Sequence, residues 1–101
     1  MAVVFLLSAA AIFARGQEPS NLSLRGRLAF VEPAARRIAV LPDQEVHLVE
    51  MILDDDGAVR YQDRELTLSE LVVLVGQRVS IRYRIEREVW VAHDIIVDPE
   101  R

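Results

Sequence analysis

Between Val79 and Glu86 the side chains alternate without a fault, with Val79, Ile81, Tyr83 and Ile85 on one parity and Ser80, Arg82, Arg84 and Glu86 on the other. Successive strand residues point to opposite faces, so this run predicts a β-strand with one greasy face against a core and one wet face outside. A helix would scatter the same apolar residues around its circumference. The strand belongs to a chain of 101 residues without cysteine, so one core must hold the fold with no disulfide, thiolate or zinc ribbon to help. A domain this small hides only about 60–65% of the surface its unfolded chain exposes. That favours a sheet that closes on itself or associates, leaving no open edges.

The remaining elements are read in the same way. Leu22, Leu24, Leu28 and Phe30 share a parity expected to face inward, Ser23, Arg25 and Arg27 the other, and Gly26 on the inner parity permits a bulge or bend. Pro33 interrupts the pattern within Glu32 to Arg36, and Ile38 and Val40 resume it, giving a hairpin. From Glu45 to Leu53 both parities are apolar. A bulge near Val49 would keep Val46, Leu48, Met51 and Leu53 inside and leave His47 and Glu50 in water, and Asp54-Asp55-Asp56-Gly57 would then reverse the chain. Thr67 and Glu70 have the spacing of a capping box, with Leu66 and Leu71 as its hydrophobic staple, so a two-turn helix starts at Thr67 and stops at Gly76. After a turn at Glu86-Arg87-Glu88, a last strand runs from Val89 to Val97.

The element order predicts a mainly all-β fold: a five-stranded antiparallel OB-like barrel with one short helix between strands three and four. An open meander with a docked helix is the other arrangement. In the barrel the first strand pairs with the second and the fourth, which would set Arg25 and Arg27 facing Arg82 and Arg84.

Ahead of this domain, Ala2 to Ala14 is an uncharged apolar run. It matches the apolar core of a secretory signal, whereas a bilayer span needs about 20 residues. Small residues at Ala14 and Gly16 place cleavage after Gly16, or after Ala14, although no Arg or Lys precedes the run. The expected organisation is residues 1–16 as a signal peptide or N-terminal anchor, 17–21 as a linker and 22–98 as the barrel. The protein is then exported, periplasmic or extracellular, with no membrane span after signal cleavage.

The formal charge of −4 argues against nucleic-acid binding, and the second and third strands offer no aromatic residue on which to stack bases. His47, Met51, Trp90, His93 and Asp94 are the metal-ligand candidates. The two histidines lie on different strands, and His93 and Asp94, as strand neighbours, should face opposite ways. Aligning Gly57 with the invariant glycine of a calcium loop puts Ile52 at the first ligand position, so that motif fails. No nucleophile elbow or paired-acid spacing points to catalysis. No metal or other cofactor is therefore expected. What remains is a contact surface made of Arg25, Arg27, Arg82, Arg84 and Trp90, suited to an envelope protein or a small anionic ligand. Glu32, Glu86 and Glu88 are near enough in sequence to tie those arginines into a cross-strand ladder instead.

The segment Leu24 to Val40 (LRGRLAFVEPAARRIAV), with Leu68 to Leu71, Val75 to Tyr83, Val91-Ala92 and Ile95, resembles small exported bacterial OB-like domains of unknown function. The resemblance runs from Leu24 to Val97. It implies a barrel and an envelope location and carries no catalytic residue. A more distant likeness is to the periplasmic copper and silver chaperones, also OB barrels, whose paired methionines have a counterpart here only in Met51. Residues and resemblance together point to a noncatalytic binding or interaction module of the bacterial cell envelope, with a metal-handling barrel as the alternative.

Overall fold

The computed structural model describes residues 21–99. The expected signal segment, 1–16, and nearly all of the linker lie outside the described residues. The elements are β1 (Leu22–Glu32), a 3-10 turn (Pro33–Ala35), β2 (Arg37–Pro42), β3 (Val49–Tyr61), β4 (Arg64–Leu66), α1 (Leu68–Leu71) continued by a 3-10 turn (Val72–Leu74), β5 (Arg78–Glu86) and β6 (Val89–Val97).

Five of these strands close a ring. β1 pairs with β2 and β5, β2 with β3, β5 with β6, and β6 returns to β3. The β3–β6 seam is parallel and the other four pairings are antiparallel, which corrects the expectation of an antiparallel barrel. The reason is arithmetic: strand direction cannot alternate all the way round a ring with an odd number of members. The short β4 folds back on the far end of β3 through a turn at Gln62, whose φ is 59°, and lies outside the ring.

The third strand departs furthest from the sequence reading. It begins at Val49, not Glu45, and Val46 and Leu48 are 85% and 57% exposed. β2 spends its last residues on β1, pairing Leu41 with Arg27 and Pro42 with Gly26, so the chain must cross from β1 back to β3 before it can pair again at Val49. The crossing is pinned by Asp43, whose amide donates to the Arg25 carbonyl at 3.0 Å. Nor do the aspartates reverse the chain. β3 runs on to Tyr61, and the residues between Leu53 and Ala58 swell out of the β6 pairing, in which Leu53 opposes Ala92 and Ala58 opposes Asp94. The backbone freedom of Asp and Gly serves a bulge here rather than a turn.

β1 holds the other correction. The register with β2 slips between Leu28 and Phe30. That slip turns Val31 toward the core and Phe30 outward, 39% exposed. Gly26, by contrast, is needed where it stands: a Cβ there would come within 2.8 Å of the Pro42 Cα. β1 and β2 could not approach so closely with any side chain between them.

The core gathers Leu28, Ile38, Val40, Met51, Val59, Val79, Ile81, Ile95 and Val97 from the barrel interior. Leu66, Leu68 and Leu71 reach it from β4 and the helical segment. The capping box is present: the Glu70 amide donates to Thr67 Oγ1 at 3.1 Å and the Thr67 amide to Glu70 Oε1 at 2.8 Å. Burying Leu71 completely contributes roughly 1.5–3 kcal/mol. The helical segment ends at Leu74, short of the expected stop at Gly76, and the turn that follows, where Gly76 has φ 101°, is tied to β1 by two bonds, Gly76 amide to Leu28 carbonyl at 2.8 Å and Leu28 amide to Gln77 carbonyl at 2.9 Å.

Candidate functional site

The arginines of the expected contact surface share the outer face of β1 and β5, as their parity requires, but not the expected register. Arg25 lies opposite Ser80 and Arg27 opposite Arg78, while Arg82 lies opposite Ser23. The four named arginines therefore do not face one another in pairs. Arg25, Arg27 and Arg82 form a diagonal band in which Arg78, not among the expected residues, is the fourth member. Arg78 was legible all the same, since it shares the outward parity of Ser80 and Arg82. Arg84 sits farther along β5, beyond the last β1 pairing at Leu22 and Tyr83.

Most of this charge is engaged within the protein. Arg25 pairs with Asp98 at 3.3 Å, and Arg27 Nη1 donates to the Gly76 carbonyl at 2.8 Å. Arg78 pairs with Asp43 at 2.6 Å. Arg84 bridges Asp54 at 3.0 Å and Glu86 at 3.2 Å. The hydrogen bond from Arg84 holds the Asp54 carboxyl below the usual aspartate range, and the one from Arg78 does the same for Asp43. Arg84 also braces the acidic bulge from one side while Arg36 Nη2 donates to the Asp54 carbonyl at 2.7 Å from the other. Arg82 differs from the rest: it is exposed, and its guanidinium makes no hydrogen bond or ion pair among the described residues, although Asp94 is its register partner on β6.

Trp90 stands elsewhere, near the start of β6. Its ring stacks on Tyr83 with centroids 4.8 Å apart and planes 7° from parallel. Burial raises the Tyr83 phenol above its ordinary pKa. Trp90 also lines a groove of about 230 Å³ with Arg37, Glu50, Met51, Ile52, Glu88 and Val89. The groove draws on three strands, β2, β3 and β6, so no single stretch of sequence marks it.

The metal-ligand candidates do not converge. His47 is exposed in the crossing between β2 and β3, whereas Met51 is only 1% exposed. His93 and Asp94 were expected to face opposite ways. A register slip in β6 opposite Arg82 and Tyr83 instead brings His93 Nδ1 within 3.8 Å of Asp94 Oδ2. Among the described residues, no three His, Cys, Asp or Glu side chains come together as a metal site. No helix among them is long and apolar enough to cross a membrane.

No protein-family model matches the chain, and no curated protein matches it in sequence. Solved structures do match its fold. Silver-bound CusF from Escherichia coli covers 83% of this chain and 99% of its own, with a TM-score of 0.62 at 12% identity. Apo-CusF from Escherichia coli covers 84% and 94%, with a TM-score of 0.62 at 13% identity. A tryptophan-to-alanine variant of Escherichia coli CusF with Cu(II) covers 82% and 98%, with a TM-score of 0.59 at 12% identity. Identities this low speak to architecture alone. The chain is thus a small five-stranded mixed barrel, structurally like CusF and far from it in sequence.

Proposed function

We propose that this chain is a noncatalytic binding module of the bacterial cell envelope, exported through residues 1–16, whose contact surface is the arginine band of Arg25, Arg27 and Arg82. The observation that carries the reading is Arg82, a guanidinium left in solvent beside arginines already neutralised by Asp98 and Asp43. A planar fork of donors without a carboxylate suits an incoming carboxylate or phosphate. The partner is therefore an acidic envelope protein or a small anionic ligand. Arg84 belongs to the fold rather than to the contact, since both its bridges brace β3 and β5. Trp90 lies on another face and is kept as a separate contact point.

Pull-down from an envelope extract tests the band. Joint replacement of Arg25, Arg27 and Arg82 by alanine should remove proteins captured by the unaltered chain while circular dichroism stays the same. Undiminished capture rejects the arginine band.

A second reading, metal handling, draws on the likeness to barrels solved with Ag(I) and Cu(II). Its ligands here would be His47 or Met51, the latter reached through the groove it lines with Trp90. Excess silver or copper should then raise the melting temperature, because a ligand favours the state it binds. An unchanged melting temperature removes this reading.

A further inference from the structure

β6 breaks step with both of its neighbours at one residue. The β5 ladder passes from Tyr83 opposite Ala92 to Arg82 opposite Asp94, and the β3 ladder from Leu53 opposite Ala92 to Ala58 opposite Asp94, so neither gives His93 a partner. In a regular strand His93 and Asp94 would face opposite ways. A bulge re-aims a side chain, and here it leaves His93 Nδ1 3.8 Å from Asp94 Oδ2. Asp94 also lies directly opposite Arg82, on the outer face that carries the arginine band. Side chains so placed are close enough to form an ion pair, yet the Arg82 guanidinium makes none among the described residues. One carboxylate thus stands between an imidazole and a guanidinium, on the imidazole's side.

We propose that His93 gates Arg82 through Asp94: a protonated imidazole holds the carboxylate and leaves the guanidinium open to an incoming anion, whereas a neutral imidazole releases the carboxylate to Arg82. This rests on the arginine contact proposed above and adds its regulation. Imidazole is the side chain whose charge ordinarily changes between about pH 5 and pH 8, so the contact opens in mild acid and closes above neutrality. Both His93 and Asp94 are partly exposed, 27% and 38%, so protons reach them. The charged groups around the pair leave the exchange to Arg82. From β3, Asp54 feels a positive charge on His93, while Asp55 and Asp56 of the same bulge are exposed. From β5, Arg84 is held by Asp54 and Glu86. Arg36, ahead of β2, is engaged by the Leu53 and Asp54 carbonyls. Neither of these arginines competes for Asp94. Because Asp94 keeps a cation in either state, the exchange alters the contact and leaves overall stability nearly level.

Calorimetric titration with an oligo-aspartate peptide, whose carboxylates stay ionised from about pH 5.5 to about pH 8, tests the gate. The full chain should bind the peptide about threefold to fivefold more tightly at the lower pH, the size expected of one partly exposed ion pair. Asp94→Asn should bind tightly at both, and His93→Gln weakly at both. An imidazolium acting only as one more positive charge predicts that Asp94→Asn keeps the pH dependence, and that result overturns the gate. So does equal affinity of the unaltered chain at the two pH values, which leaves the arginine contact itself standing. Nuclear magnetic resonance without peptide separates the two claims. The Arg82 Nε resonance should titrate together with the His93 ring protons, and should cease to do so in Asp94→Asn. If it behaves in this way while no peptide binds at either pH, the gate holds and the arginine contact fails. An Arg82 resonance that does not follow His93 overturns the gate, whatever the peptide does. Circular dichroism confirms that each variant is folded.

Discussion

Arg84 and Asp54 meet at 3.0 Å across the widest irregularity of the barrel, where β3 leaves its pairing with β6. The pair has two neighbours. Glu86 shares the guanidinium, and Asp54 Oδ1 also accepts the Asp55 amide at 2.9 Å. The bulge is thus held to the wall at Asp54 by two arginines, Arg84 on the carboxylate and Arg36 on the carbonyl, while Asp55 and Asp56 stand in solvent.

This arrangement makes stability depend on acid in a defined direction. Asp54 and Asp43 both titrate below the ordinary aspartate value, chiefly because Arg84 and Arg78 donate to them. A group whose folded pKa is depressed contributes fully above its unfolded value, about pH 4, and loses that contribution as pH falls through the folded one. Urea midpoints should therefore be level from pH 7 to about pH 5 and fall below pH 4. The double variant Asp43→Asn, Asp54→Asn should fall less steeply over that lower range, and equal slopes would refute the role given to the two pairs.

At Gly26 the prediction is steric. Gly26→Val puts a branched side chain where a Cβ already meets Leu41 and Pro42 backbone. Forcing the strands apart should cost about 2 kcal/mol or more in chemical denaturation. Ala29→Val, at the slip three residues further along β1, should cost much less because that site is only half-buried.

The capping box permits a comparison of its halves. Thr67→Ala removes the acceptor for the Glu70 amide and should destabilise by about 1 kcal/mol. Glu70→Ala removes the reciprocal bond to the exposed Thr67 amide, which water can replace, and should cost less. Denaturation midpoints of the two variants check the order.

The stacked pair can be read optically. Trp90→Phe should retain part of the ring contact with Tyr83, whereas Trp90→Ala should lose about 1.5–3 kcal/mol of stability. Near-ultraviolet circular dichroism should lose its tryptophan band in both. A Trp90→Ala variant as stable as the parent would mean that the stack contributes nothing.

How much of this was legible depended on how regular each strand is. β5 is antiparallel to both neighbours and keeps its parity from Val79 to Ile85, so its inner and outer residues were read correctly. The capping box was equally plain, because its chemistry is confined to four consecutive residues. Phe30 was misplaced because a slip at Ala29 inverts every later side chain of β1, and alanine is compatible with either face. β3 was misread at both ends. Its apolar residues occupy both parities, and Asp-Gly chemistry looks the same in a bulge as in a turn. Within the arginine band, outward direction followed from parity, but partners did not. Arg25 finds Asp98 from the other end of the domain, and no local pattern announces such a meeting.

The parallel seam between β3 and β6 has a consequence for how the molecule is assembled. The three junctions β1–β2, β1–β5 and β2–β3 can form from segments already synthesised, but this one and its neighbour between β5 and β6 wait for the stretch from Val89 to Val97. Before that stretch arrives, β3 and β5 each present a bare flank of backbone donors and acceptors, open to any stray ribbon. Docking β6 seals both flanks at once. The last strand is thus the keystone, and a chain deprived of it would be prone to clump rather than merely to loosen.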